Sequence, residues 1–177
     1  RTHSAVVITD SLGRIEWVNQ GFERLTGYAS REVVGRCPGH FLQGAGTNPD
    51  TVAFIRSRLQ AKQGFQAEVL NYHRDGHPYW VDIEVQPVAD ENGKVTNFIA
   101  IEQDISARVQ AEQRRKLQEK VSVVIAQSDS LESGLKDVLS AIAEATGAIG
   151  GACWPVGSGV SAQSFALWVA ENSEGAA

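Results

Sequence analysis

Methionine is missing from these 177 residues, cysteine occurs twice, and no apolar run approaches the ~20 residues that span a bilayer. Cys37 and Cys153 stand in separate segments, which suits reduced thiols better than a disulfide framework. Neither belongs to a CxxC pair, and no metal site is expected. A basic excess is also lacking: 16 Lys and Arg face 21 Asp and Glu, for a net charge of -5. Nucleic acid is therefore not an expected partner. No secretory signal opens the chain, and membrane contact by this segment is not expected. The phosphate-cradling GxxxxGK[ST], the nucleophile elbow and the supported carboxylate pair are all absent, so no catalytic core is expected. Asp10, Asp82 and Glu84 are scattered turn and strand acids. The polar stretch from Ser106 to Ala126 holds no histidine, which excludes a phosphoacceptor helix there. A chain that opens at Arg1 without methionine reads as a piece of a longer protein. A cytoplasmic location is expected for the piece, and a membrane anchor elsewhere in the parent stays open.

What is present is a regular alternation of short elements. Ala5 to Thr9 is a β-branched run, Asp10-Ser11-Leu12-Gly13 a turn, and Arg14 to Asn19 an alternating strand. Asn19 is placed to cap a short helix through Phe22 and Leu25 that ends at Gly27. Ser30 is a weaker cap for a following turn. Residues 35–50 are rich in Gly and Pro and cannot form one regular element. Pro49 opens a helix with Val52, Phe54, Ile55 and Leu59 at helical spacing.

Three strands follow. Phe65 to His73 runs into the Asp75-Gly76 turn, a hairpin signal. His73 and His77 flank that turn, where exposure is expected. His77 to Val88 alternates, with Tyr79, Val81, Ile83 and Val85 on one face and Trp80, Asp82, Glu84 and Gln86 on the other. Asp90-Glu91-Asn92-Gly93 turns the chain into a last strand, Val95 to Ile101. Two strands, short helices and three strands predict an α+β domain with an antiparallel sheet and helices on one side.

From Ser106 the composition shifts to Arg, Gln, Glu, Lys and Ala. Leu117, Val121, Val124, Leu131, Leu135 and Val138 fall on a coiled-coil seam, which predicts a homodimer through this helix. Ser128-Asp129-Ser130 is expected to interrupt it and to start a second helix, Leu131 to Thr146, ended by Gly147. The apolar runs Ile149 to Val156 and Phe165 to Val169 predict strands that lack most of their partners.

The stretch Gly35-Arg36-Cys37-Pro38-Gly39-His40-Phe41-Leu42-Gln43-Gly44, then Arg56, Asn71-Tyr72-His73-Arg74-Asp75-Gly76 and Asp104-Ile105-Ser106, resembles the PAS sensor family in its light-oxygen-voltage branch. The resemblance covers about residues 5 to 106. It implies a five-stranded sheet cupped around a small-molecule pocket. The helix and strands beyond resemble the beginning of a GAF domain. The implied organisation is a sensor domain over 1–106, a coiled-coil linker over 107–128 and a truncated GAF-like segment over 129–177.

The branch binds a flavin, FMN or FAD, and uses a cysteine just before the Phe-Leu-Gln to bond it after illumination. Gly39 stands at that place. By the same resemblance Gln43 and Asn71 would read the ring edge, since amides offer both a donor and an acceptor. Arg56 would hold the phosphate. The departures are Pro38 for an asparagine, His40 for a second arginine, Val81 for the second ring-reading asparagine, and Glu102 for the glutamine of the last strand. A buried Glu102 beside a flavin carbonyl would have to be protonated. Cys37 is expected to be a small buried hydrophobe rather than a displaced thiol. Haem is a minor alternative, with His40 as its candidate axial ligand. Asp104 or Ser106 is expected to cap the linker helix, and both stand where a change in the sheet would be relayed to it.

These readings predict a sensory input module of a multidomain signalling protein, most often a histidine kinase by resemblance. A flavin-based light or redox sensor without a cysteine adduct is one alternative. A ligand-free dimerisation and relay module, of a diguanylate cyclase for example, is another. The sheet face away from the pocket, with Trp17 and Trp80, is a second candidate for the dimer contact.

Overall fold

The computed structural model describes residues 4–127, 131–146, 148–153 and 166–169. The chain divides into two compact units, Arg1–Val109 and Gln110–Ala177.

In the first unit, β1 (Ala5–Asp10) and β2 (Ile15–Val18) form a hairpin. Its turn is closed by Asp10, whose Oδ1 accepts from the amides of Leu12 at 2.8 Å and Arg14 at 2.9 Å. Asp90 repeats this chemistry, accepting from Asn92 at 2.9 Å and Lys94 at 3.0 Å. Helix α1 (Gln20–Thr26) is capped by Asn19 as the sequence predicts, with Oδ1 accepting from the Phe22 amide at 2.9 Å. The same oxygen accepts from the Val6 amide at 3.0 Å, so one side chain fixes both the helix and β1.

Gly27 ends α1 in the left-handed region, at φ 76. A Cβ there would lie 2.4 Å from Nε2 of His73. Gly27→Ala is therefore expected to destabilise the unit by more than about 1 kcal/mol, combining backbone strain with displacement of that ring. A lowered urea midpoint at unchanged slope would show it; an unchanged midpoint would refute it.

Short helices α2 (Ser30–Val33) and α3 (Gly39–Leu42) precede α4 (Pro49–Gln60), which Pro49 opens. The cap of α2 differs from expectation. Ala29, not Ser30, is the N-cap, and its amide donates to the Glu32 carboxylate at 2.9 Å. This is the glutamate half of a capping box, since Ala29 has no side-chain oxygen to supply the other half.

Strands β3 (Phe65–Tyr72), β4 (Pro78–Ala89) and β5 (Val95–Asp104) complete an antiparallel sheet of order β2-β1-β5-β4-β3. The predicted α+β architecture, a five-stranded sheet with short helices, is the one found. Strand β5 runs three residues past Ile101 because β4 keeps pairing with it, up to Val81 opposite Asp104. The polar run Glu102-Gln103-Asp104 carries no apolar alternation to announce that extension.

The core of this unit falls into three clusters. Ala5, Val7, Ile15, Val18, Phe22, Val33 and Leu42 join the first hairpin to α1, α2 and α3. Phe65, Val85 and Phe98 form the second, and Val69, Tyr79 and Val81 the third. Members of all three also line one cavity.

Helix α5 (Ser106–Gln127) leaves the sheet at β5. Along residues 110–127, Leu117, Val121 and Val124 are the half-buried positions and the rest are exposed, a one-sided pattern at the predicted seam. In the second unit, α6 (Leu131–Thr146) buries Gly134, Ala141 and Ala143. Strands β6 (Gly150–Cys153) and β7 (Ala166–Val169) pair with each other, Gly150 opposite Val169 and Cys153 opposite Ala166. They therefore supply one another with the partner that the sequence left missing. Ser128-Asp129-Ser130 and Gly147 lie outside the described residues. Among the described residues no helix is long and apolar enough to cross a membrane.

Candidate functional site

The concave side of the sheet, α3, α4 and the loop before α4 enclose a cavity of about 470 Å³. That is within the range of small-molecule and cofactor pockets, ~300–1,000 Å³. Its apolar wall includes Val52, Ile55 and Leu59 from α4, Ile83 from β4 and Phe98 from β5. All five residues singled out for a ligand, His40, Gln43, Arg56, Asn71 and Glu102, line it, as do Cys37 and Gly39. They come from α3, its C-cap, α4, β3 and β5, separated by up to 62 positions in the chain (102 − 40).

Asn71 is 3 % exposed and faces Tyr79 across the β3–β4 ladder. Glu102 is 4 % exposed on the central strand, between Ala5 of β1 and Ile83 of β4. Burial pushes its carboxyl up to about 7 from the ordinary 4.5, and its Oε2 has no hydrogen-bond partner among the described residues. A buried oxygen left without a partner costs ~1–3 kcal/mol unless something supplies one. The Tyr79 hydroxyl is also buried and, among the described residues, unpartnered; the Asn71 side chain approaches it without closing a hydrogen bond. Burial first, and then the neighbouring Glu102, push its ionisation well above the usual phenol range.

A neutral Glu102 carries one O–H donor and one acceptor, the same pair that an amide offers. The glutamate at a family glutamine position is thus chemically closer to the original than its formal charge suggests. Val81 behaves differently. It is fully buried, packs with Val69 and Tyr79, and is not among the residues that line the cavity.

Gln43 is half-buried just after α3, beside Gly39. A Cβ at Gly39 would come within 3.1 Å of the Gln43 amide, so this amide fills the space next to position 39. Arg56 is exposed on α4 at the cavity's edge, and among the described residues no carboxylate pairs with it. His40 is exposed. Cys37 is a free thiol, half-buried rather than buried. The site can therefore hold a flat apolar ring between α4 and the sheet, hydrogen-bond its edge through Asn71, Gln43 and Glu102, and attract an anionic tail with Arg56.

The exit from the sheet departs in detail from expectation. Asp104 Oδ1 does accept from the Ser106 amide, at 2.8 Å. Ser106 itself does not cap α5: its Oγ accepts from the Trp80 amide of β4 at 2.9 Å. The helix is opened by Ile105, whose carbonyl accepts from Val109 at 2.9 Å while its amide donates to the Trp80 carbonyl at 2.9 Å. Arg108 of α5 pairs with Glu68 of β3 at 2.6 Å. The start of α5 is thereby tied to two strands of the sheet, because Trp80, near the start of β4, lies one residue beyond the Val81–Asp104 pair and still offers its backbone groups to Ile105 and Ser106.

One cluster lies outside the expectation of no metal site. His73, Asp75 and His77 come together on the β3–β4 turn, with their ligand atoms within 4.8 Å of one another. The signal in the sequence is an HxxxH spacing across the turn.

Residues 3–107 match the family model described as PAS domain. A blue-light-activated histidine kinase of Brucella anthropi is 39 % identical over 93 residues, which are 52 % of this chain and 18 % of that protein. Phototropin-2 of Oryza sativa subsp. japonica is 43 % identical over 93 residues, 52 % of this chain and 10 % of that protein. This chain thus spans less than a fifth of either relative's length. The solved light-oxygen-voltage domain of a blue-light-activated histidine kinase from Erythrobacter litoralis aligns with a TM-score of 0.56 at 29 % identity, covering 60 % of this chain and 99 % of that one. With the sheet order, the helix-walled cavity and these likenesses together, the chain belongs to the PAS domain family, as a domain of the light-oxygen-voltage type.

Proposed function

We propose that this chain is the sensory input segment of a larger signalling protein, and that its cavity binds a flavin non-covalently. The observation that carries the reading is Glu102: a buried carboxyl with an unpartnered oxygen in the wall of a cavity that also presents Asn71, Gln43 and Arg56. When bound, a flavin would supply blue-light absorption and redox chemistry. The chain's own residues bind and orient it. Asn71 and Gln43 offer amides to the ring edge, neutral Glu102 offers a donor and an acceptor, and α4 covers the ring with Ile55 and Leu59. With Gly39 in place of a thiol, the signal would pass through hydrogen bonds at Glu102 rather than through a bond to position 39. Haem is less well served, because His40 is exposed and no second imidazole among the described residues lines the cavity.

A change at Glu102 has a short route outward. Strand β5 leads through Asp104 into α5, and Ser106 and Ile105 tie that helix to Trp80. The ligand need only favour one arrangement of this junction to shift its population. A histidine kinase as the parent is supported by the Brucella anthropi and Erythrobacter litoralis relatives. Dimerisation through α5 and the outer sheet face is part of the proposal; that face exposes Trp17, Ile99 and Ile101 around Ile8.

The test is to mix the purified chain with FMN, remove unbound ligand and record the visible spectrum. Retained flavin bands are expected, with affinity for FMN at least about tenfold lower in Asn71→Leu, which strips the ring edge of a buried partner. A chain that retains neither FMN nor riboflavin would overturn the flavin reading.

A further inference from the structure

We propose that the β3–β4 turn is a binding site for a transition-metal dication of the zinc, nickel or copper class, held by His73, Asp75 and His77. Asp75 Oδ1 stands 2.9 Å from Nδ1 of His73 and 2.6 Å from Nδ1 of His77. The two imidazoles stack at 4.4 Å between centroids, 17° from parallel, so both Nδ1 atoms converge on one carboxylate oxygen. Donors sharing one tetrahedral ion at ~2.0–2.2 Å lie ~3.3–3.6 Å apart and each imidazole holds the ion near its own ring plane, so binding opens the exposed Asp75 and His77 side chains slightly and turns the His77 ring out of its stack on His73.

The arrangement is held from outside the cluster. Gly76, at φ 93, lets the chain reverse so that His73 and His77 meet. The His73 amide donates to the His77 carbonyl at 2.9 Å, and the Gly76 amide to the His73 carbonyl at 2.8 Å. The His77 amide donates to Asp75 Oδ1 at 3.2 Å, which fixes the carboxylate. The His73 ring is only 22 % exposed and rests over Gly27. On the far side the Arg74 amide donates to the Thr26 carbonyl at 2.9 Å. The neighbouring cation is also turned away, since Arg74 pairs with Glu32 at 3.0 Å. A turn whose backbone is fixed by surrounding hydrogen bonds loses little main-chain freedom on binding a metal.

The donor set selects the class of ion. Two imidazoles and one carboxylate suit zinc, nickel and copper, whereas magnesium and calcium require oxygen ligands. Three protein ligands leave open positions for water or for a donor from another molecule. A bound ion would join the turn at residues 73–77 into one rigid loop abutting the end of α1, at a distance in sequence from the ligand-lining residues of α4.

The experiment is calorimetric titration of the untagged full chain with Zn²⁺ in chelator-free buffer. One equivalent should bind, and Mg²⁺ at the same concentration should give no binding heat. His77→Ala and Asp75→Ala each alter an exposed side chain and should lower zinc affinity at least about tenfold. Imidazole NMR signals supply an independent readout: those of His73 and His77 should shift with zinc while that of His40 stays in place. Absence of saturable zinc binding, unchanged affinity in both variants, or a shift confined to His40 would each overturn the site.

Discussion

Glu102→Gln is expected to make the first unit markedly more stable at alkaline pH and to leave it unchanged in acid. In the unfolded chain the carboxyl ionises near its ordinary 4.5, whereas in the fold burial holds the proton until about pH 7. Below about pH 4.5 both states are protonated and the group contributes nothing to the difference. Between those limits the unfolded chain gives up its proton and the folded chain keeps it, so stability falls as pH rises. Above about pH 7 the penalty levels off at roughly 3 kcal/mol, the equivalent of 4.5 against 7 at ~1.4 kcal/mol for each pH unit. Glutamine has no proton to lose and keeps both a donor and an acceptor. Chemical denaturation near pH 4 and pH 8 reads the effect directly. The account of Glu102 as a buried neutral acid fails if wild type and variant keep the same difference at both pH values. A flavin whose edge pairs with the protonated carboxyl would extend the protected range upward, so the wild-type curve should shift when FMN is present.

Arg56→Ala should separate two ligands that share a ring. FMN and riboflavin differ by the phosphate, and Arg56 is the exposed cation on α4 beside the cavity. Loss of a charge-assisted contact should weaken FMN about tenfold and leave riboflavin nearly unaffected. Because the side chain is exposed, the FMN effect should shrink at high salt. Equal losses for both ligands would mean that Arg56 supports α4 rather than the phosphate. No difference for either would remove it from the site.

Several features of this chain are local enough to be legible without a structure. Asn19 caps α1, Gly27 ends it, Pro49 opens α4, and Asp10 and Asp90 close their turns, because each acts within four residues of itself. The alternation of Tyr79, Val81, Ile83 and Val85 against Trp80, Asp82 and Glu84 gives the inner face of β4 for the same reason. The convergence of Gln43, Arg56, Asn71 and Glu102 was legible only through resemblance, since no local rule places four distant residues around one cavity. The turn cluster is the reverse case. His73, Asp75 and His77 are neighbours in sequence, and His77 is exposed as expected, but His73 is half-buried because its ring rests against Gly27 at the end of α1, which no local window contains.

The sequence by itself determined the order of elements, their caps and turns, and the polar character of the helix after Ser106, all of which rest on short-range hydrogen bonding and side-chain periodicity. Tertiary structure alone decided how far β5 extends, which backbone group Ser106 serves, that Val81 packs in the core, and that the Glu102 carboxyl is buried and unpartnered. Each of these depends on a neighbouring strand. The desolvation that holds a proton on Glu102 comes from β1, β4 and the cavity together, and no window along the chain contains all three.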